Sequence, residues 1–484
     1  FAPSNRWGYF PAAALGWRMS EEAFLNDVDW LDNLKLRVSY GEVGNDGINS
    51  SLWSQNWEAT SDKRYQGAVN GAFLPSYSLG ADMANKDLKW ETTITRNIGV
   101  DFGFFNSRLT GTIDAYWNTT KDLLMKTAIP GITGFTSTYA NVGQTSNKGI
   151  EIALQGVLVK TRDWNVTAGF NINFNRGKVD KLADNVTGLY GTEWATSSTF
   201  PKSDYVLKEG RPVGLVRGLT ADGFYTTDDF TYANGVYTLK EGVADVSSAV
   251  FPNYHLHNGM NERPAGQLAY PGMAKFKDLN DDGIINDDDV DVIGDMTPVH
   301  TGGFNINATY KNFDLGLYFN WSYGNEIYNV NKLAALYGYK EGAVYENKLS
   351  IVKDCYKIYD VVNGELVALT TPEQLNAANA NAKLPLAYSE NGYVSTLGIE
   401  DGSYLRLNTL TLGYTLPKSM LQKAGISNLR VYGSIYNVFT ITGYSGIDAE
   451  VSTSTSTKTY PQLGMDWGTY PRARSFVLGV NLSF

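Results

Sequence analysis

Apolar and polar residues alternate strictly through long stretches of this chain. In 164–175, Trp164, Val166, Ala168, Phe170, Ile172 and Phe174 share one parity, while Asn165, Thr167, Gly169, Asn171, Asn173 and Asn175 share the other. Phe304, Ile306, Ala308 and Tyr310 alternate with Gly303, Asn305, Asn307 and Thr309. Phe313, Leu315, Leu317, Phe319 and Trp321 repeat the pattern, as do Phe476, Leu478, Val480, Leu482 and Phe484. A period of two marks a strand with two unlike faces. On this basis about eleven strands are predicted, near 8–18, 34–43, 94–105, 108–118, 147–159, 163–175, 301–310, 313–323, 403–416, 428–439 and 475–484. Most run about ten residues, longer than the usual five or six of soluble sheets and close to a membrane-crossing strand. One short helix is predicted at 417–424, between Pro417 and Gly425.

The connections alternate in length. Asn106-Ser107, Lys160–Arg162 and Lys311-Asn312 are tight, and 19–33 and 417–427 are modest. Between them lie long segments near 44–93, 119–146, 176–300, 324–402 and 440–474. Short turns at one end and long loops at the other are the pattern of an outer-membrane barrel. A soluble sandwich or propeller would carry Lys and Glu on its water-facing parity. Here that parity is Asn, Thr, Ser and Gly. The expected fold is therefore all-β: about eleven long antiparallel strands of a large transmembrane β-barrel, with 176–300 and 324–402 as long extracellular loops. Phe170, Ile172, Leu317, Phe319, Leu478 and Leu482 are expected to face lipid, and Asn171, Asn173, Asn305 and Asn307 the lumen.

Composition narrows the function. The 484 residues carry 40 Lys+Arg against 50 Asp+Glu, and this negative balance argues against nucleic acid as a partner. Aromatics at 13 % with only 19 % charged residues exclude a disordered chain. The single cysteine, Cys355, excludes a disulfide framework and a cysteine-ligated zinc site. The first ten residues have no Met, basic leader or apolar run, so the text is expected to begin partway through a longer or processed protein.

The sharpest chemical motif is 278–289, DLNDDGIINDDD. It fits a twelve-residue calcium loop, with Asp278, Asn280 and Asp282 giving side-chain oxygens and Ile284 its carbonyl. Asp289 would close the site with a carboxylate, and Asn286 would act directly or through water. Six acidic residues in twelve positions repel one another unless something neutralises them. The competing reading is a metal-free Asp/Asn turn held by its own hydrogen bonds. His255 and His257 alternate but have no third ligand nearby and read as ordinary loop residues. Trp53, Trp57, Tyr65, Tyr77, Trp194, Tyr205, Tyr225, Tyr254, Tyr323 and Tyr328 suit either ligand stacking or packing, and packing is the preferred reading. No nucleophile elbow, P-loop or dinucleotide fingerprint occurs, so no enzyme is expected.

Several stretches carry a family resemblance. These are NRWGYFPAAALGWRMSEEAFL (5–25), LKLRVSYGEVGN (34–45), NVGQTSNKGIEI (141–152), YLRLNTLTLGYTLPKSML (404–421) and GMDWGTYPRARSFVLGVNLSF (464–484). In this order they resemble the C-terminal half of SusC/RagA-type TonB-dependent outer-membrane transporters of Bacteroidetes. The resemblance implies a 22-stranded plugged barrel, of which eleven strands are half. It also implies TonB-energised import of oligosaccharides or oligopeptides with a SusD-like surface lipoprotein as lid. No TonB box or plug is present in these residues, so both are expected in an N-terminal half. The alternatives are a passive or adhesive outer-membrane barrel, or a soluble carbohydrate-binding β-protein.

Overall fold

The computed structural model describes residues 1–47, 52–60, 67–74, 76–80, 82–184, 186–197, 199–251, 263–336, 348–387, 392–421, 425–453 and 462–484. Among the described residues eleven long strands form one antiparallel sheet in chain order, to which the short piece 82–83 adds a parallel pairing at 137–138. They are β1 (Ala12–Arg18), β2 (Leu31–Asn45), β3 (Glu91–Phe104), β4 (Leu109–Ala128), β5 (Ser137–Lys160) and β6 (Trp164–Lys181). β7 (His300–Tyr310), β8 (Phe313–Tyr323), β9 (Tyr404–Thr415), β10 (Asn428–Thr442) and β11 (Ser475–Ser483) complete it. Each strand pairs with its neighbours in sequence, and β1 and β11 are the two edges. The sheet is a partial barrel wall.

The eleven predicted strands are all present, with two corrections. β1 starts at Ala12 rather than near residue 8, because Pro11 has no N–H for the ladder and joins it only through its carbonyl, which accepts from Glu42 N at 2.9 Å. The predicted loop 119–146 is mostly strand: β4 and β5 stay paired as far as Ala128 opposite Ser137, leaving only 129–136 as a loop. Alternation does not mark this extension because both faces there are largely polar, as in Thr119, Lys121, Asp122 and Asn141. The helix predicted at 417–424 is observed at Lys418–Leu421, with Gly425 at φ +67° just beyond.

Register sorts the two parities onto two faces. Phe170, Phe304 and Phe319 lie opposite one another on β6, β7 and β8, and the Phe304 and Phe319 rings stack at 4.3 Å. Leu317 lies between Ile306 and Leu410. Leu478 and Leu482 on β11 are exposed, and none of the six residues expected on the lipid side is buried in a core. On the opposite face Asn307 donates to Asn305 and accepts from the Tyr318 hydroxyl. At the tight-turn end the apolar face carries Trp164 against Tyr310 and Phe313 against Tyr414, with ring centroids 4.4 and 4.7 Å apart. Trp30 packs there on Phe104. An aromatic band at one edge of an apolar face suits a membrane interface.

The segments 182–299, 324–403 and 443–474 all leave the sheet at the other end, and they fold together. A four-stranded sheet joins 189–191, 205–207, 215–219 and 290–295. Phe200, Tyr225, Tyr237, Phe276 and Ile285 share one buried core with Tyr356, Leu375 and Tyr393 from the second segment. Tyr205, Val216 and Met296 pack with Tyr328, Leu333 and Val394, and with Met465 from the third. Two short helices lie in the second segment, α1 (Val330–Leu336) and α2 (Pro372–Asn379). In α2, Pro372 occupies the first turn and Thr371 with Gln374 forms the capping box.

Candidate functional site

Three features occupy the polar face of the wall and the folded connections. The first is a set of ion pairs between strands. Arg37 on β2 donates to Asp101 on β3 at 2.8–3.0 Å and to Asp114 on β4 at 3.0 Å. Gly99 makes room for them: a Cβ there would lie 2.4 Å from Asp114 Oδ1 and 2.6 Å from Arg37 Nη2. Gly413 does the same for Asp314 and Arg430 across β8, β9 and β10.

The second feature is a ring of four charges at the long-connection end. Arg406 on β9 is only 2 % exposed and donates to Asp448, and its Nη1 lies 3.3 Å from Glu450 Oε2. Arg472 reaches Glu450 Oε2 at 2.8 Å and Asp448 Oδ2 at 3.5 Å. Signs alternate around the ring, which ties both arms of 443–474 to one buried guanidinium.

The third is a cleft of about 490 Å³ in the folded connections. It is lined by Ser197, Thr199, Lys202, Ser203, Arg217, Ser248 and Asp287 among others. Arg217 lies under the Tyr190 ring at 4.8 Å and donates to Ser203 Oγ at 2.8 Å. Burial lowers its pKa, against the opposing pull of Tyr190 and Asp287. Nearby Asp204 accepts backbone N–H bonds from Glu193, Trp194 and Ala195 at 2.8–3.0 Å. Burial outweighs those bonds and pushes its carboxyl above the ordinary range.

The connections lock to each other through close backbone approach. Leu219 N donates to Val394 O at 2.9 Å, and a Cβ on Gly218 would lie 2.5 Å from that same oxygen. Backbone cannot yield as a flexible side chain can, so Gly218→Val is expected to cost about 1–3 kcal/mol through overpacking. Limited proteolysis checks it: 182–299 and 324–403 should become sensitive together, and independent behaviour would mean two separate units.

Of the predicted calcium residues, Asp278, Asn280 and Asp282 fall on one turn, with Asp281 at φ +58° and Gly283 at φ +84°. Ile284 opens a short strand and Asp289 ends a single helical turn. Asp278 accepts from Gly283 N at 2.7 Å, Asp282 from Ile284 N at 2.9 Å, and Asn280 from Asp282 N at 3.2 Å. Asp289 is buried and accepts from Leu279 N and Asn286 N at 2.7 and 2.8 Å. Ile284 O accepts from the Asn286 side chain at 3.3 Å. Among the described residues no three His, Cys, Asp or Glu side chains gather as a metal cluster. The loop also pairs 284–285 with 245–246 and sets Ile285 into the shared core. His255 and His257, with Tyr65 and Tyr254, lie outside the described residues. Of the remaining aromatics, Tyr205, Tyr225 and Tyr328 are core residues, whereas Trp57, Tyr77 and Tyr323 are exposed. Neither the charge ring nor the cleft was singled out from the sequence. An Arg inside a strand is a signal of a charge partner, but Arg406 shares it with Arg37 and Arg430 and nothing local sets it apart.

Comparisons with known proteins agree with this architecture. Residues 1–280 match the family model described as TonB dependent receptor-like, beta-barrel. The chain is 30 % identical over its whole length to TonB-dependent receptor P3 of Formosa agariphila, covering 42 % of that protein. It is also 30 % identical to the TonB-dependent receptor SusC of Bacteroides thetaiotaomicron, covering 41 %. A solved structure of the RagAB peptide transporter superposes on the entire chain with a TM-score of 0.71 at 24 % identity, using 44 % of that structure's chain. The chain thus spans less than half the length of these relatives, which are named as receptors and transporters rather than enzymes. An eleven-strand wall with two free edges is what such a share of a closed barrel amounts to, and the chain belongs to the TonB-dependent receptor family of outer-membrane proteins, supplying part of its β-barrel.

Proposed function

We propose that this wall is one half of an active importer of oligosaccharides or oligopeptides, energised through TonB and working with a SusD-like surface lipoprotein. The observation that carries this reading is the joint folding of 182–299, 324–403 and 443–474 around shared cores at one end of the sheet. Barrel closure needs no such structure, and connections longer than about 15 residues are usually functional or disordered. The reading sets these connections on the extracellular side, as the seat of a lid that closes over captured cargo. TonB coupling would run through a plug in the other half. The fold shared with the RagAB peptide transporter accommodates a peptide, and an oligosaccharide stays the other cargo of the proposal, as the family resemblance of the sequence implies. Purification of the native complex tests the lid. A second, lipid-anchored protein should be seated on the folded connections; a complex without one, with those connections free, would favour the passive or adhesive barrel.

We also propose that 278–289 takes up calcium through Asp278, Asn280, Asp282, the Ile284 carbonyl and Asp289. The acidic crowding and the left-handed turn at Gly283 support this, while the hydrogen bonds within the loop support the metal-free turn. Extracellular calcium sites bind at about 10⁻⁴–10⁻³ M, so a chelator should strip the ion. Protease sensitivity of 220–300 is then expected to rise on chelation and in Asp282→Ala. No change in either would leave the acidic turn as the correct reading.

A further inference from the structure

The cleft beside Arg217 has a charge balance opposite to that of the chain as a whole. The protein carries a net charge of −10, yet the cleft holds two cations, Lys202 and Arg217, and Asp287 is the only carboxylate among its lining residues. Among the described residues neither cation forms an ion pair. Arg217 is held instead by the Tyr190 ring and the Ser203 hydroxyl, contacts that orient the guanidinium without neutralising it. Ser197 and Ser248 add hydroxyls to the same wall, while the Thr199 hydroxyl already donates to Thr196 O at 2.9 Å. Roughly 300–1,000 Å³ is the range of small-ligand sites, and this cleft falls within it.

We propose that this cleft is an oxyanion subsite, taking a carboxylate or a sulfate ester carried by a larger ligand. A guanidinium fork matches two oxygens of either group, and a flexible ammonium beside it adds charge without fixing direction. Hydroxyls serve the remaining oxygens. A neutral sugar or an amide would leave both cations unmatched, and a divalent cation would be repelled. That the anion belongs to imported cargo rests on the importer reading; the binding itself does not.

The test is equilibrium binding to the native, detergent-purified protein, with two matched pairs of probes. One pair is an N-acetyl dipeptide with a free C-terminal carboxylate and its C-terminal amide. The other is a monosaccharide sulfate and its parent sugar. At least one anionic probe should bind while its neutral twin does not, and the stronger arm identifies the source of the anion. Arg217→Gln should weaken binding by about tenfold or more, as loss of a charge-assisted bond implies. Exposed Lys202→Gln, which disturbs no packing, should weaken it by a smaller factor. The site is overturned if neither anionic probe binds, if charged and neutral twins bind alike, or if both variants bind as wild type. Because no transport step enters this measurement, a protein that binds the anion yet imports nothing would contradict the importer and leave the subsite standing.

Discussion

Arg406→Ala is expected to destabilise the protein by about 3–5 kcal/mol, the usual cost of removing one partner from a buried ion pair. Arg406 is almost wholly buried on β9, and Asp448 beside it is buried as well. Without the guanidinium, Asp448 keeps the Glu450 N–H at 2.9 Å and, as its cation, Arg472 Nε at 3.5 Å, a longer contact on a half-exposed side chain. The loss should concentrate in 443–474, because that connection is fastened through Asp448 and Glu450 on its outgoing arm and Arg472 on its return. Thermal unfolding in detergent, followed by proteolysis of that connection, reads both effects. A double variant, Arg406→Met with Asp448→Leu, separates charge from packing. It should recover most of the loss, since an apolar pair replaces a buried ion pair at little cost. A double variant as unstable as the single would mean that the ring holds its place by shape alone.

Leu317→Arg is the second large effect, at roughly 2–4 kcal/mol if the residue sits near mid-membrane. Leu317 lies near the middle of β8, flanked by Ile306 and Leu410 on the same apolar face. An arginine there must enter hydrocarbon or drag water after it. Asn305→Arg is the control, because Asn305 lies on the opposite face beside Asn307 and the Tyr318 ring system. Folding into lipid vesicles, followed by urea titration, gives the comparison. The expected order is a severe Leu317 variant and a mild Asn305 variant. Equal penalties would contradict the assignment of faces.

The barrel strands were legible because a two-faced wall between lipid and a polar lumen imposes a period of two on every residue that crosses it. Phe170, Leu317 and Leu478 announce their face without knowledge of any neighbour. Where both faces are polar the signal vanishes, so 119–146 reads as a loop in sequence although β4 and β5 occupy all of it but 129–136. The folded connections were legible only as long segments. Their core is made by residues far apart in sequence, such as Tyr237 with Leu375, or Tyr205 with Tyr328, and no local periodicity encodes such pairs. For the same reason the cleft, which joins Arg217 to Ser248 and Asp287, and the ring, which joins Arg406 to Asp448 and Arg472, emerge only in three dimensions. The acidic loop is the reverse case. Its spacing is plain in the text, while its hydrogen bonds and the burial of Ile285 reveal a structural duty that the motif alone does not express.

Uptake measured with and without TonB tests the central claim most directly. Cells carrying the intact protein would be offered a defined mixture of labelled oligopeptides and oligosaccharides, and depletion from the medium would be followed by mass spectrometry. The importer reading expects one class of oligomer to disappear, and that loss to stop when TonB is deleted or the proton-motive force is collapsed. Depletion continuing at the same rate without TonB would contradict it and leave a passive pore.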